Sequence, residues 1–454
     1  MGKGISNYTC SQCGYMAPKW MGKCPGCGLW NTFYEEMGFK DRSGQKKGMV
    51  DAVPLDSIGE SECFRYVSGC GELDRVLGGG IVPGSLILIG GDPGIGKSTL
   101  LLQVAGKFTR IHNKKVIYLS GEESLKQIKL RSMRLGINSN SILLLNEQCL
   151  DTLDDYMEEI NPELVIVDSI QTVFLSGLSS VPGSVAQLRE CTAKIMDVAK
   201  KREKAFIIVG HVTKDGVLAG PKVLEHMVDV VIYFEGDKNF LFRILRGVKN
   251  RFGPTDEIGI LEMNSTGLVE VADPSSLFLS FRQQEMIGSA IGATLEGTRP
   301  LLIEIQALVS PSGPGYPRRM ASGIDQNRLA LITAVLEKKR GYNMAATDVY
   351  IKVAGGVFLK DPSVDLSIVA SILSSYHDIP LPRDTVFIGE LGLSGEIRPV
   401  PMMDIRLKEA DKLGYKRVLL SGLPLGYEMP QCNLKLVRLN SIEELAKRIL
   451  EGDF

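Results

Sequence analysis

The stretch Ser85–Ala105, SLILIGGDPGIGKSTLLLQVA, admits few folds. Ser85–Ile89 reads as a buried strand, the pattern Gly91-x-x-x-x-Gly96-Lys97-Ser98 follows, and Thr99–Ala105 then reads as a helix. In that order a glycine-rich loop cradles phosphates. Backbone N–H groups curl around the anion, only glycines permit the curl, and the helix N-terminus adds its dipole. Gly91, Asp92, Pro93, Gly94, Ile95, Gly96, Lys97, Ser98 and Thr99 are therefore the candidate residues for binding ATP. Lys97 would reach the β and γ phosphates, and Ser98 would ligand Mg2+.

Three further apolar runs repeat the theme. KVIYLSGEES (Lys115–Ser124) reads as a strand ending in Glu122 and Glu123, ELVIVDSIQ (Glu163–Gln171) ends in Asp168, and AFIIVGHVTKDG (Ala205–Gly216) ends in His211. Helical segments at about 124–136, 150–160 and 184–203 separate them. Alternating strands and helices imply a parallel sheet with its ligand chemistry at the carboxyl ends of the strands. Asp168 is then expected to face the P-loop from a neighbouring strand and to hold Mg2+ through water. Hydrolysis also needs a carboxylate for the attacking water. Glu122 is the stronger candidate, with Glu123 at the start of the next helix, where an acid is favoured. The opposite assignment of the two stays open.

The N-terminal segment YTCSQCGYMAPKWMGKCPGCGLWNTF carries Cys10, Cys13, Cys24 and Cys27 as two C-x-x-C pairs. Four thiolates on two glycine-flanked knuckles complete a tetrahedron around Zn2+ and leave no open position, so the site reads as structural. Met16, Trp20, Trp30 and Phe33 are expected to supply its apolar packing. Two redox pairs are the alternative. Residues 1–35 form this module, 36–56 a polar linker, 57–271 the nucleotide-binding core, 272–282 a link, and 283–454 a further domain. Cys63, Cys70, Cys149, Cys191 and Cys432 show no ligand spacing and read as structural.

Taken in order, the P-loop, SGEES, VIVDS, GHVTKDG and RGVKNRFG resemble the RecA-like ATPases, and with both flanking regions the whole chain resembles the bacterial RadA (Sms) family of DNA-repair proteins. KNRFG, Lys249–Gly253, stands intact as that family's signature. The resemblance implies that Lys249 and Arg251 reach into a neighbour's ATP site, where a positioned cation stabilises the transferring phosphoryl group. The competing reading makes Arg243, Arg246, Lys249 and Arg251 one solvated basic face, which would also suit DNA phosphates. The resemblance further implies that His211 senses the γ-phosphate and leads into a DNA-binding loop at about Val212–Lys222. That loop shows no aromatic platform.

The C-terminal region, with helices expected at Gln326–Lys339 and Val364–Ser375, resembles the α+β proteolytic domain of Lon. The serine–lysine dyad does not carry over. The serine position falls on Val364, with Ser363 one residue away, and the lysine position falls on Asp404, with Lys408 a turn further on. An aspartate lacks the basicity of a neutral amine, so protease activity is not expected. Lys338, Lys339 and Arg340 are either a DNA-facing cluster or a solvated helix end.

With 52 basic and 53 acidic residues the chain is no wholesale polyanion binder, although residues 1–50 hold seven Lys/Arg against three Asp/Glu. A cytoplasmic location and no membrane association are expected. The resemblance implies a DNA-dependent ATPase of recombinational repair. It would act as a hexameric ring on single-stranded and branched DNA, promoting branch migration with RecA. The rivals are a non-translocating ATP switch that docks a partner protein, and an ATP-dependent protease.

Overall fold

The computed structural model describes residues 7–10, 15–36, 64–211, 221–236, 242–271, 273–279, 285–313, 316–422 and 432–454. The chain divides into two compact units, Met1–Val271 and Ala272–Phe454.

The first unit opens with a small antiparallel sheet, β1 (Asn7–Cys10) between β2 (Met16–Ala17) and β3 (Phe33–Glu36). Then come α1 (Gly71–Leu77), β4 (Leu86–Gly91), α2 (Lys97–His112), β5 (Val116–Ser120), α3 (Leu125–Arg134), β6 (Ile142–Leu145) and α4 (Leu153–Ile160). They are followed by β7 (Leu164–Asp168), α5 (Val185–Arg202), β8 (Ala205–His211) and α6 (Pro221–Glu225). Four strands close the unit: β9 (Val230–Glu235), β10 (Phe242–Asn250), β11 (Ile258–Asn264) and β12 (Gly267–Glu270).

Nine strands form one sheet in the order β12-β11-β10-β9-β4-β8-β7-β5-β6. The six from β9 to β6 are parallel, and β10, β11 and β12 fold back antiparallel. The apolar runs are continuous because both faces are covered. Ile87 and Ile89 of β4 pack with Leu101, Val104 and Phe108 of α2. Leu86 and Leu88 turn to the other face, with Ile195 and Val198 of α5. Truncating one such buried residue, Ile166→Ala for example, costs about 2–5 kcal/mol.

Strand order corrects one expectation. β7 is not the neighbour of β4, because β8 lies between them. Parity still aims Asp168 correctly: Leu164 and Ile166 of β7 point to the α2 face, and Asp168 continues that alternation. Helix starts follow local signals. Ser124 caps α3 in a reciprocal box with Gln127, and Ser184 accepts from the Gln187 N–H at the start of α5.

The second unit contains β13 (Met286–Ile287), β14 (Ser289–Glu296), β15 (Arg299–Pro311), β16 (Arg319–Ser322), α7 (Gln326–Arg340), β17 (Thr347–Val353) and α8 (Asp365–His377). It continues with β18 (Pro380–Leu381), β19 (Thr385–Ile388), β20 (Glu390–Leu391), β21 (Ile397–Arg398), α9 (Met403–Lys412), β22 (Arg417–Ser421), β23 (Lys435–Leu439) and α10 (Ile442–Glu451). Its mixed seven-stranded sheet runs β16-β17-β15-β14-β19-β22-β23. Helix α8 is buried from Asp365 to Ser375, which makes it the central helix of this unit. Among the described residues no helix is long and apolar enough to cross a membrane.

Candidate ATPase site and metal centre

The P-loop leaves the carboxyl end of β4. Gly94 and Gly96 sit at φ +78° and +116°, which side chains with a Cβ rarely adopt. The loop's lysine is buried, and Lys97 Nζ donates to Gly91 O at 2.7 Å and Asp92 O at 3.0 Å. Burial pulls the ammonium down to about 8, against the opposing effects of Asp168, Glu122 and Asp92.

His211, at the end of β8, bridges two elements that the strand order keeps apart. Its Nδ1 lies 3.2 Å from Lys97 Nζ and its Nε2 lies 3.1 Å from Glu122 Oε1. An ammonium has only donors, so Nδ1 accepts and Nε2–H donates to the carboxylate. Ser169 Oγ donates to the same carboxylate oxygen. The His211 bond, opposed by burial and helped by Ser169, holds the Glu122 carboxyl down at about 2. A carboxylate that acidic is a poor proton acceptor; held this way it is suited to orienting water.

Glu122 and Glu123 do not end β5, which stops at Ser120. They lie in the loop beyond it, where Gly121 is required. A Cβ there would sit 2.1 Å from Thr172 Oγ1. The two acids diverge: Glu123 pairs with Arg131 of α3 at 2.5 Å, while Glu122 turns to His211. Asp168 accepts from the buried Tyr118 hydroxyl at 2.6 Å. The partly buried Ser98 hydroxyl and the Asp168 carboxylate are hard oxygen donors of the kind Mg2+ takes.

The four cations that the competing reading puts on one basic face are split. Arg243 is buried, and its Nε donates to the P-loop carbonyl of Ile95 at 3.2 Å. Alternation along β10 puts Arg246 on the other side, against Glu235 at 3.2 Å, and a register shift between Gly247 and Lys249 resets the parity. Lys249 Nζ donates to the carbonyls of Glu225 and Val228, both at 2.8 Å, at the end of α6. Burial, and then Arg251, lowers its pKa. Arg251 pairs with Asp229 at 3.2 Å, and Asp229 also accepts from the Leu86 N–H. Lys249 and Arg251 therefore lie at the Leu86 end of β4, roughly 17 Å from the P-loop end at ~3.3 Å per residue.

At the N-terminus, the sulfurs of Cys10, Cys24 and Cys27 lie within 4.8 Å of one another. Cys10 and Cys27 Sγ are 3.8 Å apart, which is about the edge of a tetrahedron with ~2.3 Å zinc–sulfur bonds. The donor set and spacing fit zinc. Cys13 lies outside the described residues, as do 37–56 of the linker, 272 and 280–282 of the link, Cys63 and 212–220 of the loop. Phe33 packs against the cysteines as expected, but Trp20 and Trp30 do not. Cys10, Ala17, Cys24 and Phe33 make up the buried cluster, and the indoles remain outside it. Cys70 and Cys191 are buried, and burial pushes their thiols up to about 11 and about 12.

In the second unit, Ser363 is buried. Its Oγ donates to Ala293 O and accepts from Arg406 Nη1, both at 2.8 Å. Arg406 is itself buried and pairs with Asp361 at 2.7 Å. Val364 is buried as well, whereas Lys408 is exposed, so the substitute dyad of Ser363 and Lys408 is not assembled. Sequence reasoning missed Arg406; a lone arginine on a helix carries no local sign of burial. Lys338 and Lys339 are exposed in the last turn of α7, where cations favour the helix end, and Arg340 lies over the Tyr342 ring.

Fold and site together define an ATP-hydrolysing enzyme of the P-loop class with a zinc ribbon at its N-terminus. Residues 8–35 match the family described as a rubredoxin metal binding domain, 71–217 the AAA domain, and 325–422 the subunit ChlI of Mg-chelatase. Along its whole length the chain is 51% identical to DNA repair protein RadA of Bacillus subtilis, all of whose length is matched. It is 49% identical to DNA repair protein RadA of Listeria monocytogenes and 48% to that of Halalkalibacterium halodurans, over 99% and 98% of both chains. The chain belongs to the RadA family.

Proposed function

We propose that the chain is a DNA-dependent ATPase of recombinational repair. It would act as a hexameric ring that moves on single-stranded DNA and promotes branch migration of recombination intermediates with RecA. The observation that carries the shared-site part is the separation of Lys249 and Arg251 from their own P-loop: cations at the far end of the sheet serve a neighbour's nucleotide or none. The hexamer, the branch migration and RecA rest on the family resemblance.

In this reading the P-loop binds ATP, with Lys97 against its phosphates and Ser98 and Asp168 holding Mg2+, which supplies charge neutralisation on the phosphates. Glu122 orients water, and His211 responds to the γ-phosphate through its bond to Lys97. Lys249 supplies the coupling. It holds the carbonyl of Glu225, which ends α6, the helix following the candidate DNA loop, and that of Val228 just beyond it. Drawing Lys249 toward a neighbour's nucleotide would release that helix.

The test is subunit mixing. Lys97→Ala and Arg251→Ala proteins should each hydrolyse ATP at under about 1% of the parent rate. An even mixture should regain activity, since about a quarter of random interfaces hold both intact residues. A mixture as inert as its components would sink the shared site. A Lys97→Ala protein that still unwinds forked DNA would sink the motor.

A further inference from the structure

Trp20 and Trp30 are the chain's two tryptophans, and neither enters a core. They stand on the zinc module with 53% and 69% of their area exposed. Singly exposed apolar residues need no explanation, but a contiguous pair on a small module marks a binding surface. The pair is contiguous: a Cβ built on Gly22 would lie 3.6 Å from Trp30 Cζ3 and 3.9 Å from Trp20 Cη2, so both indoles lean on one backbone point.

The backbone that holds them is tied to the metal knuckle. Lys23 and Trp30 pair as an antiparallel bridge, Asn31 N–H donates to Gly22 O at 2.7 Å, and Cys24 N–H donates to Leu29 O at 2.9 Å. The Cys24–Cys27 turn is thus the tip of a short hairpin with Trp30 on its flank. Lys23 Nζ sits 5.8 Å from the Trp30 ring centroid, and Lys19 is exposed beside Trp20. Between Tyr15 and Thr32 there are two lysines and no acid.

We propose that Trp20 and Trp30 form a stacking platform for unpaired bases of single-stranded DNA, with Lys19 and Lys23 meeting its phosphates. The charge selects the occupant. Two lysines beside aromatic faces, with no acid between Tyr15 and Thr32, suit a polyanion whose every unit carries a flat ring, and stacking of this kind tolerates any base. The candidate loop after His211 has no aromatic residue, so the zinc module contributes base contacts there lacking. The inference rests on the DNA-acting reading above and adds where bases are held.

Because both tryptophans belong to the platform, the intact protein reports on it. Unlabelled oligo(dT) should quench the tryptophan emission of the full-length chain, and an abasic strand of equal length should not. A labelled strand followed by anisotropy should bind roughly 5- to 100-fold more weakly to a Trp20→Ala, Trp30→Ala protein that retains zinc, and Phe at both positions should recover most of the loss. If the alanine protein loses zinc, the emission experiment on the unaltered chain decides. Binding by anisotropy with unchanged emission, or equal quenching by the abasic strand, overturns the platform and leaves the DNA-dependent ATPase standing. No binding of any strand overturns both.

Discussion

The Tyr118 hydroxyl donates to Asp168 Oδ2 across 2.6 Å, joining the middle of β5 to the carboxyl end of the adjacent β7 on the face that carries the P-loop helix. Burial and then Asp168 hold the phenol well above its ordinary pKa, so it stays a donor at any working pH. Tyr118→Phe removes that donor and frees the carboxylate to turn. The Mg2+ concentration for half-maximal ATP hydrolysis should rise about tenfold or more, as for other residues that orient a metal ligand, while nucleotide binding without metal changes little. A Mg2+ titration of both proteins measures it.

Glu122 and Glu123 are separable by their partners. Glu122→Gln should lower kcat for ATP by about 100-fold or more while nucleotide still binds. Glu123→Gln breaks only the partly exposed pair with Arg131 and should change kcat by less than about threefold. Steady-state hydrolysis and nucleotide titration of both variants decide the assignment, and the reverse outcome would make Glu123 the residue that orients water.

Removing zinc should unfold the ribbon and spare the ATP site. With Cys10 and Cys24 among its few buried residues, the module has little apolar area of its own to hold it. A strong chelator, or Cys24→Ser, should release one zinc per chain and shift the tryptophan emission, leaving DNA-free ATP hydrolysis within about twofold of the parent. Metal analysis alongside emission checks it.

The buried pair of Arg406 and Asp361 makes a prediction about pH. Burial raises the Asp361 carboxyl, but Arg406 and the N–H groups of Ser363 and Leu295 outweigh it and hold it below the ordinary value. The stabilisation is full above the ordinary carboxylate value and is lost as pH falls through the lower folded one. Arg406→Met leaves only those two N–H groups against burial, so the ionised acid becomes a liability. The C-terminal unit should lose about 3–5 kcal/mol at neutral pH, and less near pH 4.5, where protonation relieves the acid. Urea unfolding at the two pH values measures the difference.

The legible parts are those with local signals. The P-loop announces itself by glycines at fixed offsets, Asp168 by ending a β-branched run, and the cysteines by their spacing. Strand order has no such signal: nothing within VIVDS says that β8 separates it from β4, because that is decided by which helices cover which face. Arg243 and Arg251 look alike in FRILRGVKNRFG, yet one is buried under the P-loop and the other faces solvent. The difference lies in strand parity and a register shift, neither of which is written in composition. Trp20 and Trp30 differ from the sequence expectation for the converse reason. An indole is usually buried, and only the three-dimensional packing shows that the buried cluster of this module is made without either one.

The ATP site proposed above, shared between neighbouring chains, would constrain symmetry. A site that takes its phosphate cradle from one chain and its cations from the next joins two different patches. Such a contact is heterologous, and a two-fold dimer built on identical patches cannot complete it. Chains linked this way point head to tail, and an open row of them always has one fewer finished site than it has members. Closing the row completes the last site.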